Sequence, residues 1–135
     1  MELIGHLAQD WGVSAGLTDA YVGVYLDSPG CRILLAEDGE TQGAAPLGLL
    51  CLSLRPNLFH GAPSGLIEEL VVTPAARGRG IGKALMRAAL DVCQAGGCAE
   101  VGVATGFENE RAQRLYRDFG LVEESLLLER HFEGQ

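Results

Sequence analysis

The segment ELVVTPAARGRGIGKAL, residues 69–85, restricts the fold more than any other part of this chain. An apolar run closes at Thr73-Pro74, where proline cannot donate to a sheet ladder. After a short glycine-rich loop, apolar residues fall at Ile81, Leu85, Ala88, Val92 and Ala95, the spacing of one helix face. The stripe stops at Gly96-Gly97, as a helix C-cap would. AEVGVAT, 99–105, then reads as a second strand, so residues 66–105 form a strand-helix-strand step with a parallel crossover.

The flanking sequence extends this unit on both sides. Residues 3–28 carry Leu3, Leu7 and Trp11, then Leu17, Tyr21, Val24 and Tyr25, at helical spacing broken near Gly12 and Gly16. Two short helices are expected there, closed by Ser28-Pro29-Gly30. CRILLAED (31–38) and LGLLCLSL (47–54) read as antiparallel strands, and GLIEELVV (65–72) as a third that holds two adjacent glutamates. Asn109 to Phe119 places Ala112, Leu115, Tyr116 and Phe119 on one helix face before Gly120, and residues 121–132 are expected to close the sheet as a last strand. The fold class is mixed α/β: a central mixed, mostly antiparallel sheet with helices on both faces, in one domain over residues 1–135.

Charge and residue usage exclude several function classes. The chain carries ten Lys+Arg against eighteen Asp+Glu, a net charge of -8, the wrong sign for a phosphate-backbone binder. No nucleic-acid partner is expected. There is no basic apolar leader and no run near the ~20 apolar residues of a membrane span, so the location read from the sequence is the cytoplasm, with no membrane partner. Cys31, Cys51, Cys93 and Cys98 are dispersed, and His6, His60 and His131 lie far apart. Neither set has metal-ligand spacing, so free thiols and no metal are expected, with Cys93 and Cys98 as small packing groups.

The loop entering the strong helix reads as a phosphate site. A helix N-terminus offers unpaired amides and partial positive charge, and Gly78, Gly80 and Gly82 let backbone approach an anion. Arg77, Arg79 and Lys83 add full charges. A Walker loop would need Gly at 77 and Ser or Thr at 84, where Arg77 and Ala84 stand. The dinucleotide fingerprint would need a third glycine at 83, which is Lys83.

The spacing that remains, Arg77-x-x-Gly80-x-Gly82, resembles the Q/R-x-x-G-x-G/A signature of the GNAT superfamily of acetyl-CoA-dependent N-acetyltransferases. Asn109, Ala112, Leu115, Tyr116 and Gly120 resemble its N-x-x-A-x-x-L-Y-x-x-x-G-F pattern, with Leu121 in place of the usual Phe. By that resemblance acetyl-CoA is the co-substrate. The amides of Gly78, Arg79, Gly80, Ile81, Gly82 and Lys83, beside Arg77, would cradle its pyrophosphate. Leu70, Val71 and Val72 would pair with the pantetheine arm as an added strand, and Asn109 would touch the same arm. Tyr116 occupies the general-acid position. A phenol of pKa ~10 beside a departing thiolate of pKa ~8.5 can supply its proton.

The acceptor amine must lose a proton before it attacks. Glu68 and Glu69 are the candidate bases, and strand alternation sends them to opposite faces. Glu68 matches the strand position of a proposed base in polyamine-acetylating relatives and is ranked slightly ahead of Glu69. Ala104 stands where other relatives carry a glutamate, and the chain starts almost at the first helix, so the family's first edge strand is expected to be missing or supplied otherwise. Phe59, His60, Trp11, Tyr21 and Tyr25 could line the acceptor cleft, while Glu123, Glu124 and Glu129 read as a solvated face. The activity implied is acetyl transfer to the primary amine of a small molecule by direct attack, through a tetrahedral intermediate polarised by an amide near Val71 or Val72. A cationic amine suits the acidic balance, although IEELVVTPAARG resembles aminoalkylphosphonate acetyltransferases. A protein N-terminus or lysine, and a coenzyme A-binding sensor without turnover, are the alternatives; pairing into a homodimer is common in the family.

Overall fold

The computed structural model describes residues 19–37 and 46–133. In chain order these form α1 (Asp19–Asp27), β1 (Cys31–Ala36), β2 (Gly48–Arg55), β3 (Ser64–Val72), a 3-10 turn (Pro74–Ala76), α2 (Ile81–Ala95), β4 (Glu100–Val103) and α3 (Glu110–Asp118). The first of the two expected N-terminal helices lies outside the described residues; α1 is the second.

The sheet runs β1-β2-β3-β4, antiparallel at the first two junctions and parallel at the third. This is the mixed, mostly antiparallel sheet expected from the sequence. β1 and β2 pair from Cys31↔Ser53 to Ala36↔Gly48 without a break. β2 is buried from Gly48 to Leu52, as a central strand covered on both faces should be. One face packs Leu50, Leu52 and Ile67 against Leu85, Met86, Ala89 and Cys93 of α2 and Tyr116 of α3. The other gathers Leu49, Cys51 and Val71 under Tyr25 of α1 and Ile33 of β1. Helices therefore cover both faces. Burying each of the large core side chains contributes about 1.5–3 kcal/mol, and Leu50, Leu52, Ile67 and Met86 are almost wholly enclosed.

The buried face of α2 is centred on Leu85, Met86, Ala89 and Cys93, rotated from the expected stripe. Ala95, counted into that stripe, is exposed: an alanine adds little area and cannot define a face. Gly48 on β2 lets α2 approach, because a Cβ there would lie 2.9 Å from Ile81 Cγ2 and 3.0 Å from Leu85 Cδ1.

Residues 121–132 are not a strand, which corrects the sequence expectation. Leu121 packs on the core, but Leu126, Leu127, Leu128 and Phe132 are exposed. The segment sets three leucines in a row after two adjacent glutamates, so it has no alternating face to lay on a sheet.

His60 is not a free loop side chain. Its Nε2 lies 3.4 Å from Glu100 Oε2. Ser64 Oγ donates to Glu100 Oε1 at 3.3 Å and accepts from Asn57 Nδ2 at 2.8 Å. The loop before β3 is thus tied to the start of β4.

Candidate active site

β3 is nine residues long, yet it pairs with β4 only from Ser64↔Glu100 to Ile67↔Val103. Past Ile67 the β4 side of β3 is open, and a cleft of about 810 Å³ lies there, bounded by β3, the loop into α2, and α3. Its walls include Leu70, Val71 and Val72, then Arg77, Gly78, Gly80, Ile81, Gly82 and Lys83, then Asn109 and Tyr116. A strand with unpaired peptide groups beside an extended cavity can accept one more extended chain by hydrogen bonding. Of the residues singled out from the sequence for cofactor binding, only Arg79 does not line this cleft.

The turn that shapes the far end is short and stiff. Pro74 starts the 3-10 turn, Ala76 is buried beneath it, and Arg77 Nε donates to the Val72 carbonyl at 3.3 Å. Gly80 caps α2 with φ 78 and ψ 13 and no side-chain cap, so the first amides of the helix are left without an intrahelical acceptor. Among the described residues, Arg77 and Lys83, joined by Arg111 and Arg114 from α3, place four cations around the cleft against the one carboxylate of Asp118. Unpaired amides, a helix N-terminus and surrounding cations suit a diphosphate. Arg111 and Arg114 escaped the sequence reading. Their i, i+3 spacing beside Ala112 and Leu115 was the available signal.

α3 brings in the tyrosine. Asn109 caps this helix, its side chain accepting from Ala112 N at 3.2 Å, so its oxygen has a structural task besides facing the cleft. Two turns on, Tyr116 is 5% exposed and belongs to the core around Leu50 and Met86 while lining the cleft. Burial, and then the charge of Glu69, hold its phenol above the usual value, so the hydroxyl keeps its proton.

The two glutamates sit at an irregularity that strand alternation did not anticipate. Cys51 pairs with Glu69 and Leu52 with Ile67, so Glu68 is an extra residue bulged out of β3. Glu68 is exposed, and Tyr25 Oη donates to its Oε1 at 2.9 Å. Glu69 is half-buried, and burial followed by the charge of Glu68 holds its carboxyl above the usual carboxylate range. Burial, with Glu69 next, pushes the Cys51 thiol up to about 12, so it is a neutral packing group. Neither glutamate lines the cleft, but Glu69 is close enough to act on Tyr116.

Tyr25 and Tyr21 belong to α1, and Tyr25 reaches Glu68. Trp11 lies outside the described residues. Phe59 is 91% exposed, stacked edge-on against His60. Among the described residues no group of His, Cys, Asp or Glu could hold a metal ion, and no helix is long and apolar enough to cross a membrane.

Known proteins resemble this chain in sequence and in fold. A mycothiol acetyltransferase of Beutenbergia cavernae is 46% identical over 61 residues, 45% of this chain and 20% of that protein. A probable glucosamine 6-phosphate N-acetyltransferase 2 of Oryza sativa subsp. japonica is 37% identical over 70 residues, 51% of this chain and 42% of that protein. The chain thus spans less than half the length of either curated relative. A solved structure described as a transcriptional regulator from Bacillus halodurans C-125 superposes with a TM-score of 0.81 at 25% identity, over 97% of this chain and 91% of that one. The model of the acetyltransferase (GNAT) family matches residues 3–121.

Proposed function

The chain belongs to the acetyltransferase (GNAT) family, and we propose that it transfers acetyl from acetyl-CoA to a primary amine of a small molecule. One observation carries this reading: the open half of β3, the unpaired N-terminus of α2 and the buried Tyr116 all face a single cleft. A thioester supplies an activated acyl carbon. The chain's residues would do the rest. Amides 78 to 83, with Arg77, Lys83, Arg111 and Arg114, hold the diphosphate end. Leu70 to Val72 align the pantetheine arm, and an amide of Val71 or Val72 polarises the carbonyl oxygen.

The base is assigned to Glu69 ahead of Glu68. A carboxyl raised above the usual carboxylate range by burial and then by Glu68 is better matched to taking a proton from an alkylammonium than an exposed one. Glu69 takes that proton, the amine nitrogen forms its bond to the acyl carbon, and the carbon–sulfur bond breaks. Tyr116 gives its proton to the departing sulfur, and the second proton that the bonded nitrogen sheds as the amide forms returns to the Tyr116 phenolate. Glu68 and Glu69, which no lysine or arginine among the described residues pairs with, favour a cationic amine, and the glucosamine 6-phosphate relative makes amino sugars a second class to include. The site would work in the cytoplasm and without a metal; a homodimer is the assembly implied by the family.

Calorimetric titration with acetyl-CoA and with free coenzyme A tests the cofactor, and thiol release across polyamines, aminoglycosides, amino sugars and lysine peptides tests the acceptor. One-site binding with release dependent on a small amine is expected. Absence of binding at millimolar ligand would withdraw the reading; binding without turnover on any acceptor would make the chain a coenzyme A sensor.

A further inference from the structure

The bulge in β3 creates a problem of direction. An extra residue has no cross-strand partner to orient it, and an exposed glutamate there would sample several rotamers. The structure removes that freedom from outside the sheet. Tyr25 of α1 packs its ring on the Leu49, Cys51 and Val71 face, and its hydroxyl donates to Glu68 Oε1 at 2.9 Å. The same oxygen lies 3.3 Å from the carbonyl of Leu52, the β2 residue at the register shift. One phenol oxygen therefore touches both strands at the irregularity, 43 residues away in sequence from the glutamate it holds. A tyrosine serving only to pack would need one acceptor for its hydroxyl. This one is spent chiefly on a carboxylate that no lysine or arginine among the described residues pairs with.

We propose that Tyr25 is a positioning residue for acetyl transfer: its hydroxyl pins the bulged Glu68 beside Glu69, the group that takes the proton of the amine. This rests on Glu69 acting as the base. The groups acting on this site come from every layer around it. Glu68 and Cys51 are in the sheet, Cys31 is on the neighbouring β1, Tyr116 approaches from α3 and Tyr25 from α1. Burial and then Glu68 hold the Tyr25 phenol far above its usual value, so it stays a donor through any working pH. Loss of the hydroxyl would let Glu68 swing towards water, weaken its field at Glu69 and leave a less basic carboxylate.

The test compares the full chain with Tyr25→Phe, Glu68→Gln and the double variant. For each, kcat and KM for the amine are measured across pH and acetyl-CoA affinity by calorimetry. Tyr25→Phe retains the packed ring, so the fold should persist. We expect kcat to fall about tenfold, the scale of one charge-assisted hydrogen bond. The acid limb should move to lower pH, with acetyl-CoA affinity unchanged. The double variant should be no slower than Glu68→Gln, because the tyrosine has then nothing charged to hold. Full kcat in Tyr25→Phe, equal losses of kcat and acetyl-CoA affinity, or effects that multiply in the double variant would overturn the proposal. If the parent chain acetylates no amine, the acetyl-transfer reading fails separately, and carbon NMR titration of the Glu69 carboxyl decides the tie. A midpoint lowered by Tyr25→Phe supports it; an unmoved midpoint overturns it.

Discussion

Tyr116 gives up nearly all its contact with water to line the cleft, and its protonated phenol is what a departing thiolate would meet. Tyr116→Phe should therefore lower kcat by about 100-fold, at the lower end of general acid catalysis. Acetyl-CoA affinity, read by calorimetry, should barely change, since only one oxygen is removed. Glu69 has a thermodynamic signature as well. Burial and Glu68 raise its carboxyl above the usual range, so the folded chain binds that proton more tightly than the unfolded one. The stability linked to it is complete below the unfolded carboxylate value of ~4.3 and is lost as pH rises through the higher folded value. At pH 7 the ionised form is a burden. Glu69→Gln should raise the melting temperature at pH 7, and the gain should shrink towards pH 4, while turnover is lost. The thiols offer a check on burial. Cys93, pushed up to about 11 by burial and by Cys98, and Cys51, pushed up to about 12, should alkylate far more slowly in the folded chain than the half-buried Cys31.

At the scale of elements, the turn into α2 depends on a backbone that only glycine adopts without strain. Gly80 has φ 78, and a Cβ there would meet no neighbouring atom, so the cost of a side chain is conformational and not a clash. Gly80→Val should cost about 1–2 kcal/mol in denaturant unfolding and weaken acetyl-CoA binding more than tenfold, because the helix amides would lose their aim. This turn was legible in the sequence: a strand ending at Thr73-Pro74, three alternate glycines and a periodic helix leave little choice of geometry. The second motif pointed to Tyr116 as well, which lines the same cleft as Gly80. The bulge was not. Period-two alternation assigns each residue a face but says nothing of an inserted one, so it ties neither Glu68 nor Glu69 to Tyr25. The last segment misled for a related reason. Leu126, Leu127 and Leu128 look apolar enough for a strand, but a strand also needs a partner and a face, and β4 is only four residues long.

For the molecule as a whole, charge is distributed against its own average. A chain of net charge -8 gathers Arg77, Lys83, Arg111 and Arg114 about one cleft. Local attraction for a polyanion must overcome the acidic remainder, and salt screens the exposed local cations over ~10 Å at 0.1 M. Acetyl-CoA affinity should weaken several-fold between 50 mM and 500 mM sodium chloride in a calorimetric series, whereas affinity for a pantetheine fragment without phosphates should hardly move. The open half of β3 has a further consequence, for solubility. Beyond Ile67 its backbone donors and acceptors face a cavity and not a neighbouring strand, and a polypeptide could zip onto them as readily as a ligand. A preparation stripped of ligand carries an uncapped sheet edge on every molecule, and the small molecule that serves the chemistry would also be the cap that keeps one copy from templating on another.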